Sequence, residues 1–351
     1  LAPMFEGDLP SGVRAGTPRV AMDDRTRRRL GLEHWPDGTI GFGVRRRRID
    51  CLAANGRTSA RVVARERRGL LEWDVAERDI EVASSRTGAD YAAGGPFLSI
   101  GDGRDLIVYH GEFHHGDDHT SYWSFLGLAL DDGTDHPVDL GPIISPGIAH
   151  MDPVLRGHSV DVTGGAFIIR NGFVYVYFVD VRRSYGVVGL GVARASLRDV
   201  VARAERGEAA RFWKFCDGEF AGPGLGGEAD DLLEPRHHPI LWFDAAWWAD
   251  IGAFVLVYST KVNPKGPGPR RWALMFTTSS DGVAWEEPVD LLGESRRELI
   301  CVSVRSEPTT RCVEGPGELW WLSSAAADFV RWSDAALLRC RLTAGDAPAA
   351  A

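Results

Sequence analysis

Two stretches of the chain share one pattern of apolar and polar positions. GADYAAGGPFLSIGDGRDLIVYHGEF runs over residues 88–113, and SVDVTGGAFIIRNGFVYVYFVDV over residues 159–181. Each opens with an aspartate, Asp90 or Asp161, followed by a Gly-Gly step. Each continues through a short apolar strand and a Gly-containing turn into a strand that is apolar without alternation. A strand of that kind is buried on both faces. Each second strand also carries a tyrosine three residues before a carboxylate, Tyr109 before Glu112 and Tyr177 before Asp180. Weaker copies follow: AFVLVYSTK sets Lys261 three residues after Tyr258, and GELWWLSS holds Trp321.

These anchors recur at intervals of roughly 60 to 80 residues, which suits a four-stranded propeller blade with long loops. TIGFGVRRRRIDCLAA and ARVVARERRGLLEWDV supply one more blade near the start. The pattern therefore predicts an all-β chain, a single five-bladed β-propeller over residues 1–343 with a disordered tail over 344–351. The outer strands match as well. FLGLALDDGTDHPVDLG and LMFTTSSDGVAWEEPVDLLG each read as a strand, an Asp-Gly turn and a polar strand, and glycine accepts the positive φ that such a turn requires. One short inserted helix is expected in SLRDVVARAERGE. Ser196 and Asp199 form an [ST]-x-x-[DE] cap, and Leu197, Val200, Val201 and Ala204 fall on one face. The Gly- and acid-rich segment 218–231 reads as a loop.

Composition narrows the choices. Hydrophobic residues at 44% and charged residues at 25% are those of a folded globular chain. No apolar run approaches the ~18 residues that span a bilayer, so a membrane is not an expected partner. The net charge of −9 disfavours nucleic acid. The short basic run Arg45 to Arg48 reads as a solvated edge. Five dispersed cysteines without C-x-x-C argue against structural zinc and lean toward a reducing, cytoplasmic compartment, with secretion and one or two disulfides left open. GVVGLGVA opens no helix of a βαβ unit and gives no dinucleotide site.

Two segments carry a more specific signal: DVTGGAFIIRNGFVYVYFVD followed by GLGVARASL, and YHGEF followed by LGLALDDG and DLGPIISP. Over about residues 90–285 the chain resembles the five-bladed furanosidase-like hydrolases, which include arabinanases, arabinofuranosidases, β-xylosidases and fructan hydrolases. SSDGVAW resembles the Asp-box of propeller corners, where its role is a folding corner. The resemblance implies an axial funnel in which three carboxylates meet: a base or nucleophile, an orienting group and a general acid. An oxocarbenium-like transition state needs a proton for the leaving oxygen and a carboxylate facing the sugar carbon.

On that basis Asp90 and Asp161 are candidates for successive inner strands, Glu112 and Asp180 for the strands that follow, and Glu219 in KFCDGEF for the acid. The alternative for each is a capping or ion-paired carboxylate. Trp123 and Trp213 could stack on a sugar face, although most of the 12 tryptophans are expected to pack blades. His114, His237, His238 and Arg236 are candidate substrate contacts. The EFHHGDDH cluster reads as a polar loop before it reads as a metal site. Relatives in the resembling group carry a central ion, so calcium is the one cofactor considered. The expected partner is a small molecule or oligosaccharide. A propeller reused as a cyclase or lyase, or as a sugar-binding module, remains the alternative, because one fold hosts many functions.

Overall fold

A computed structural model describes residues 12–45, 48–83, 87–116, 118–133, 136–149, 159–182, 186–237, 239–262, 271–324 and 334–344. Strands β1 (Val13–Ala15) and β2 (Arg19–Asp23) lead into helix α1 (Asp24–Arg29). Strands β3 (Gly41–Arg45), β4 (Arg48–Asn55), β5 (Thr58–Arg67) and β6 (Leu70–Ile80) pair in that order as an antiparallel sheet. Strands β7 (Tyr91–Gly101), β8 (Arg104–His115), β9 (Asp118–Asp131) and β10 (Val138–Ile144) form a second meander. Strands β11 (Val160–Arg170), β12 (Phe173–Arg182) and β13 (Gly186–Ser196), helix α2 (Leu197–Ala204), and strands β14 (Trp213–Cys216) and β15 (Glu219–Pro223) follow. One parallel pairing, Val160 with Trp123, joins these two meanders into a nine-stranded sheet.

Strands β16 (Trp242–Trp248), β17 (Ala253–Val262), β18 (Arg271–Ser279) and β19 (Val289–Asp290) form the next antiparallel set. Strands β20 (Glu298–Arg305), β21 (Cys312–Val313), β22 (Gly317–Ser324) and β23 (Ala336–Ala344) come last. Strand β21 leaves its neighbours to pair in parallel with β16. Strand β23 lies between β22 and the earliest strands, with Val13 opposite Ala344 and Arg19 opposite Arg339.

The unalternating apolar strands are explained by what lies on either side of them. In β12, Val174, Val176 and Phe178 join one core cluster while Tyr175, Tyr177 and Val179 join another. Each large side chain so buried contributes on the order of 1.5–3 kcal/mol. The Gly-Gly steps lie where neighbouring first strands nearly touch. A Cβ on Gly95 would sit 1.9 Å from the Thr39 carbonyl oxygen, and one on Gly164 (φ +103) would sit 2.3 Å from the Phe243 ring.

Two polar devices lock meanders together. Arg61 on β5 is almost wholly buried and reaches Asp50 (3.1 Å), Asp105 (3.2 Å) and Asp131 (3.0 Å), the last two from β8 and β9. The SSDGVAW corner folds on itself. Ser279 Oγ accepts the Gly282 N–H, and Asp281 Oδ1 accepts the N–H groups of Val283 and Ala284. The Tyr177 hydroxyl, from the neighbouring meander, donates to the Gly282 carbonyl.

Several expectations need adjustment. Among the described residues there are two α-helices, where one was expected. Helix α1, DRTRRR, has no apolar period to announce it and is held by the Asp23 carboxylate, which accepts the Thr26 N–H at 2.8 Å. Helix α2 stands where the sequence places it, but Ser196 makes no side-chain cap, and Asp199 instead pairs with Arg203 at 3.1 Å. Segment 218–231 includes β15, and Ala344 closes β23; residues 345–351 lie outside the described residues. All five cysteines are free thiols. Among the described residues no helix is long and apolar enough to cross a membrane.

Candidate active site

A cavity of about 440 Å³ opens where the first strands of the meanders converge. Alternation along β8 supplies one wall. His110, Glu112 and His114 are spaced by two and face one side, while Tyr109, Gly111 and Phe113 face the other. His110 and Glu112 line the cavity, together with Asp37 from the approach to β3, Tyr122 from β9 and Asp161 from β11. The opposite wall carries Trp242, Lys261, Trp272 and Glu298 from β16, β17, β18 and β20. Four carboxylates therefore share one space with an imidazole and an ammonium.

Asp161 is fixed as an acceptor. Ser124 Oγ donates to its Oδ1 at 2.8 Å, and the Tyr122 hydroxyl donates to its Oδ2 at 3.2 Å. His110 Nε2 stands 3.2 Å from the same Oδ1. The other nitrogen of His110 lies 3.6 Å from Glu112, whose second oxygen is 2.7 Å from His114 Nε2. His110 is thus held between two carboxylates. Burial works against its imidazolium, but Asp161, then Glu112 and Asp37, outweigh burial and lift its pKa above the ordinary histidine value.

Asp37 differs from Asp161. It opens to the water of the cavity at the foot of a well walled by protein, and among the described residues no hydrogen-bond donor reaches its carboxylate. Loss of hydration raises its pKa above the usual aspartate value. Glu112 and Asp161 push in the same direction, while His110 and His34 oppose them. The cavity therefore pairs a carboxylate locked by donors with one whose affinity for a proton is increased.

The sequence candidates divide on placement. Asp161 and Glu112 line the cavity, and His114 supports Glu112 from beside it. Asp90 does not line it. It is exposed in the bend before β7, and its carboxylate accepts the His114 N–H at 2.7 Å, so the repeat's Asp serves here as an end cap. Asp180 is buried within β12, opposite Val162, away from the lining. Glu219 is exposed at the start of β15, the outermost strand of its sheet, four strands from β11. Trp123 is core, with its Nε1–H donating to the Ile148 carbonyl at 2.7 Å and its ring near Phe113 and Phe125. Trp213 is exposed on β14 in a separate groove. Arg236 and His237 pair with Glu287 at 2.6 and 3.3 Å outside the cavity lining. His238 lies outside the described residues.

The residues that sequence reading passed over are Asp37, His110, Tyr122, Lys261 and Glu298. The readable signal was the alternation H-G-E-F-H within a strand otherwise taken as uniformly apolar.

The cavity does not fit a calcium ion. Calcium takes six to eight oxygen ligands, whereas here imidazoles separate the carboxylates. Among the described residues, the one trio of His, Cys, Asp or Glu ligand atoms within 4.8 Å of one another belongs to Cys216, Asp217 and Asp230, at the outer β14–β15 hairpin.

Neither a protein-family model nor a curated protein matches the sequence. Solved structures do match the fold. The catalytic domain of a GH62 α-L-arabinofuranosidase from Coprinopsis cinerea superposes with a TM-score of 0.52 at 11% identity, over 97% of this chain and 100% of that one. A glycosyl hydrolase from Bacteroides ovatus gives 0.51 at 12% identity, over 92% and 88%. A GH62 hydrolase determined with xylotriose gives 0.51 at 9% identity, over 94% and 96%. The chain thus has the nearly all-β fold of the furanosidase-like hydrolases that its repeats resemble, a likeness of architecture at low sequence identity.

Proposed function

We propose that the protein is a glycoside hydrolase acting on an oligosaccharide, and that its strands form one five-bladed propeller over residues 1–343. Two features support the five blades. The nine-stranded sheet is two meanders linked by one parallel pairing, and β1 and β2 complete the last blade through β23. The cavity then lies on the axis.

The observation that carries the functional reading is the contrast between Asp37 and Asp161 in one cavity. Asp37 is reachable from the cavity, meets no donor among the described residues, and has its proton affinity raised by the surrounding protein walls, which thin its hydration, and by the like charges of Glu112 and Asp161. It is the carboxylate that takes the proton of the water adding to the sugar. Asp161, held by Ser124, Tyr122 and His110, is the fixed anion that stabilises positive charge on the sugar ring and tunes Asp37. The leaving oxygen needs a proton as its bond breaks. We assign that donation to Glu298, the carboxylate that β20 brings to the cavity, while Glu112 is held between two imidazoles. Trp242, half-buried at the cavity and backed 6.2 Å away by the buried Trp272, offers an indole edge to the sugar. The density of carboxylates disfavours a cyclase acting on an apolar ligand.

The test is a panel of aryl furanosides and pyranosides together with arabinan and xylan. Asp37→Asn should reduce kcat by about 10²–10⁴-fold on whichever member is cleaved, while Asp90→Asn and Glu219→Gln should retain activity. Full activity of Asp37→Asn, or an inert native protein across the panel, would reject the assignment.

A further inference from the structure

On the outer side of the molecule, α2 and the strands β10, β14 and β15 enclose a groove of about 820 Å³. Its apolar surface comes from Trp213, Leu225, Ile143 and Pro223, and its charge from Arg203 and Arg211. Two of these residues are unusual for a soluble surface. Trp213 is 39% exposed and Leu225 52%, and they share one groove.

The two arginines are in different situations. Arg203 is occupied by Asp199 (3.1 Å) and Glu208 (3.5 Å). Arg211 is exposed and lies 5.6 Å from the Trp213 ring centre, and among the described residues no carboxylate pairs with it. In a chain of net charge −9, a guanidinium that stands over the edge of an exposed indole and pairs with no carboxylate among the described residues selects for a ligand that is flat and apolar on one side and anionic on its edge. A uronic-acid sugar has that form: its C–H face packs on indole, and its carboxylate accepts two parallel N–H bonds from a guanidinium.

We propose that this groove is a second carbohydrate site, remote from the cavity, that holds uronate-bearing glycan through Trp213 and Arg211. The proposal rests on the glycosidase reading only for its biological sense, since binding can be measured without catalysis. By anchoring an acidic polymer, the groove would raise the local concentration of chain available to the axial cavity.

The test is affinity electrophoresis of the full chain in gels containing polygalacturonate or neutral arabinan. The native protein and Asp37→Asn should both be retarded by polygalacturonate, and any retardation by arabinan, which the axial cavity could cause, should be the same in the groove variants as in native protein. Trp213→Ala and Arg211→Ala should each bind polygalacturonate about tenfold more weakly, a loss of roughly 1.4 kcal/mol, with melting temperatures near native. Added salt should weaken the native retardation, since the Arg211 contact is exposed. Two results would overturn the proposal: no retardation of the native protein by polygalacturonate, or unchanged retardation of both groove variants. A failure of Asp37→Asn to lose activity leaves these results unaffected, so the two readings fail separately.

Discussion

Replacing Arg61 by methionine tests whether the wall that carries His110 and Glu112 is held by charge. Arg61 stands on β5, and its guanidinium reaches Asp50 on β4, Asp105 on β8 and Asp131 on β9. Asp50 and Asp105 are buried. Methionine keeps much of the stem volume, so the change removes charge and donors more than packing. Removing one partner of a buried pair costs about 3–5 kcal/mol, because the remaining charge is left uncompensated. With Asp50 and Asp105 losing their shared cation together, while Ser99 Oγ still donates to Asp105 at 2.6 Å, the expected loss for Arg61→Met is about 4 kcal/mol at pH 7. The pH dependence gives the reasoning its sharper test. An orphaned, buried aspartate has its folded-state pKa raised above the unfolded value of about 3.9, so its protonation favours the folded state at low pH and that benefit disappears as pH rises through the folded value. The deficit relative to native protein should therefore shrink between about pH 7 and pH 5. Urea unfolding at both pH values, with unchanged m, measures it. A deficit under about 1 kcal/mol, or one that grows on acidification, would refute the charge-clamp argument.

His110 gives a second pH signature. Its folded pKa is raised because Asp161, Glu112 and Asp37 outweigh burial, so its stabilising contribution is complete below the unfolded value of about 6.5 and is lost as pH rises through the folded value. Thermal melts of native protein and His110→Gln should show a gap that is widest near pH 6 and narrows toward about pH 9; a gap that widens on that path contradicts the assignment. Gly95→Ala should destabilise by at least about 1–3 kcal/mol in chemical denaturation, since the new Cβ would meet the Thr39 carbonyl at 1.9 Å, and near-native stability would mean that the adjoining first strands can separate.

The sequence made some parts of this structure legible and hid others for physical reasons. The doubled apolar strands were readable because β12 is packed on both sides, and its run of seven apolar residues fills a core cluster on each. The one repeat pointed to Asp161 and Glu112, which line the cavity, and to Asp90 and Asp180, which do not. The copies differ where the strands bulge: the first hairpin shifts register between Gly94 and Phe97, and the second between Gly164 and Ala166. Equivalent letters therefore need not meet equivalent surroundings. Asp37 was hidden because Trp-Pro-Asp-Gly reads as an ordinary turn, and because its neighbours in space come from β8 and β11. Glu298 opens a strand with no tyrosine anchor to align it. Glu219 looked mobile and acidic, but local flexibility carries no information about which strand is outermost.

The pairing of Val13 with Ala344 and of Arg19 with Arg339 sets an order on biogenesis. Strands β1 and β2 are made before the other described strands, yet find their partner only when nearly all of those have been made. Until then β2 exposes an unsatisfied strand edge, the kind of surface that chaperones guard and that aggregation recruits. Such a long-separated contact also slows the final annealing step. A permuted gene that begins at β3 and carries β1 and β2 after β23 would convert that distant closure into a local hairpin, and it should refold faster with the same cavity.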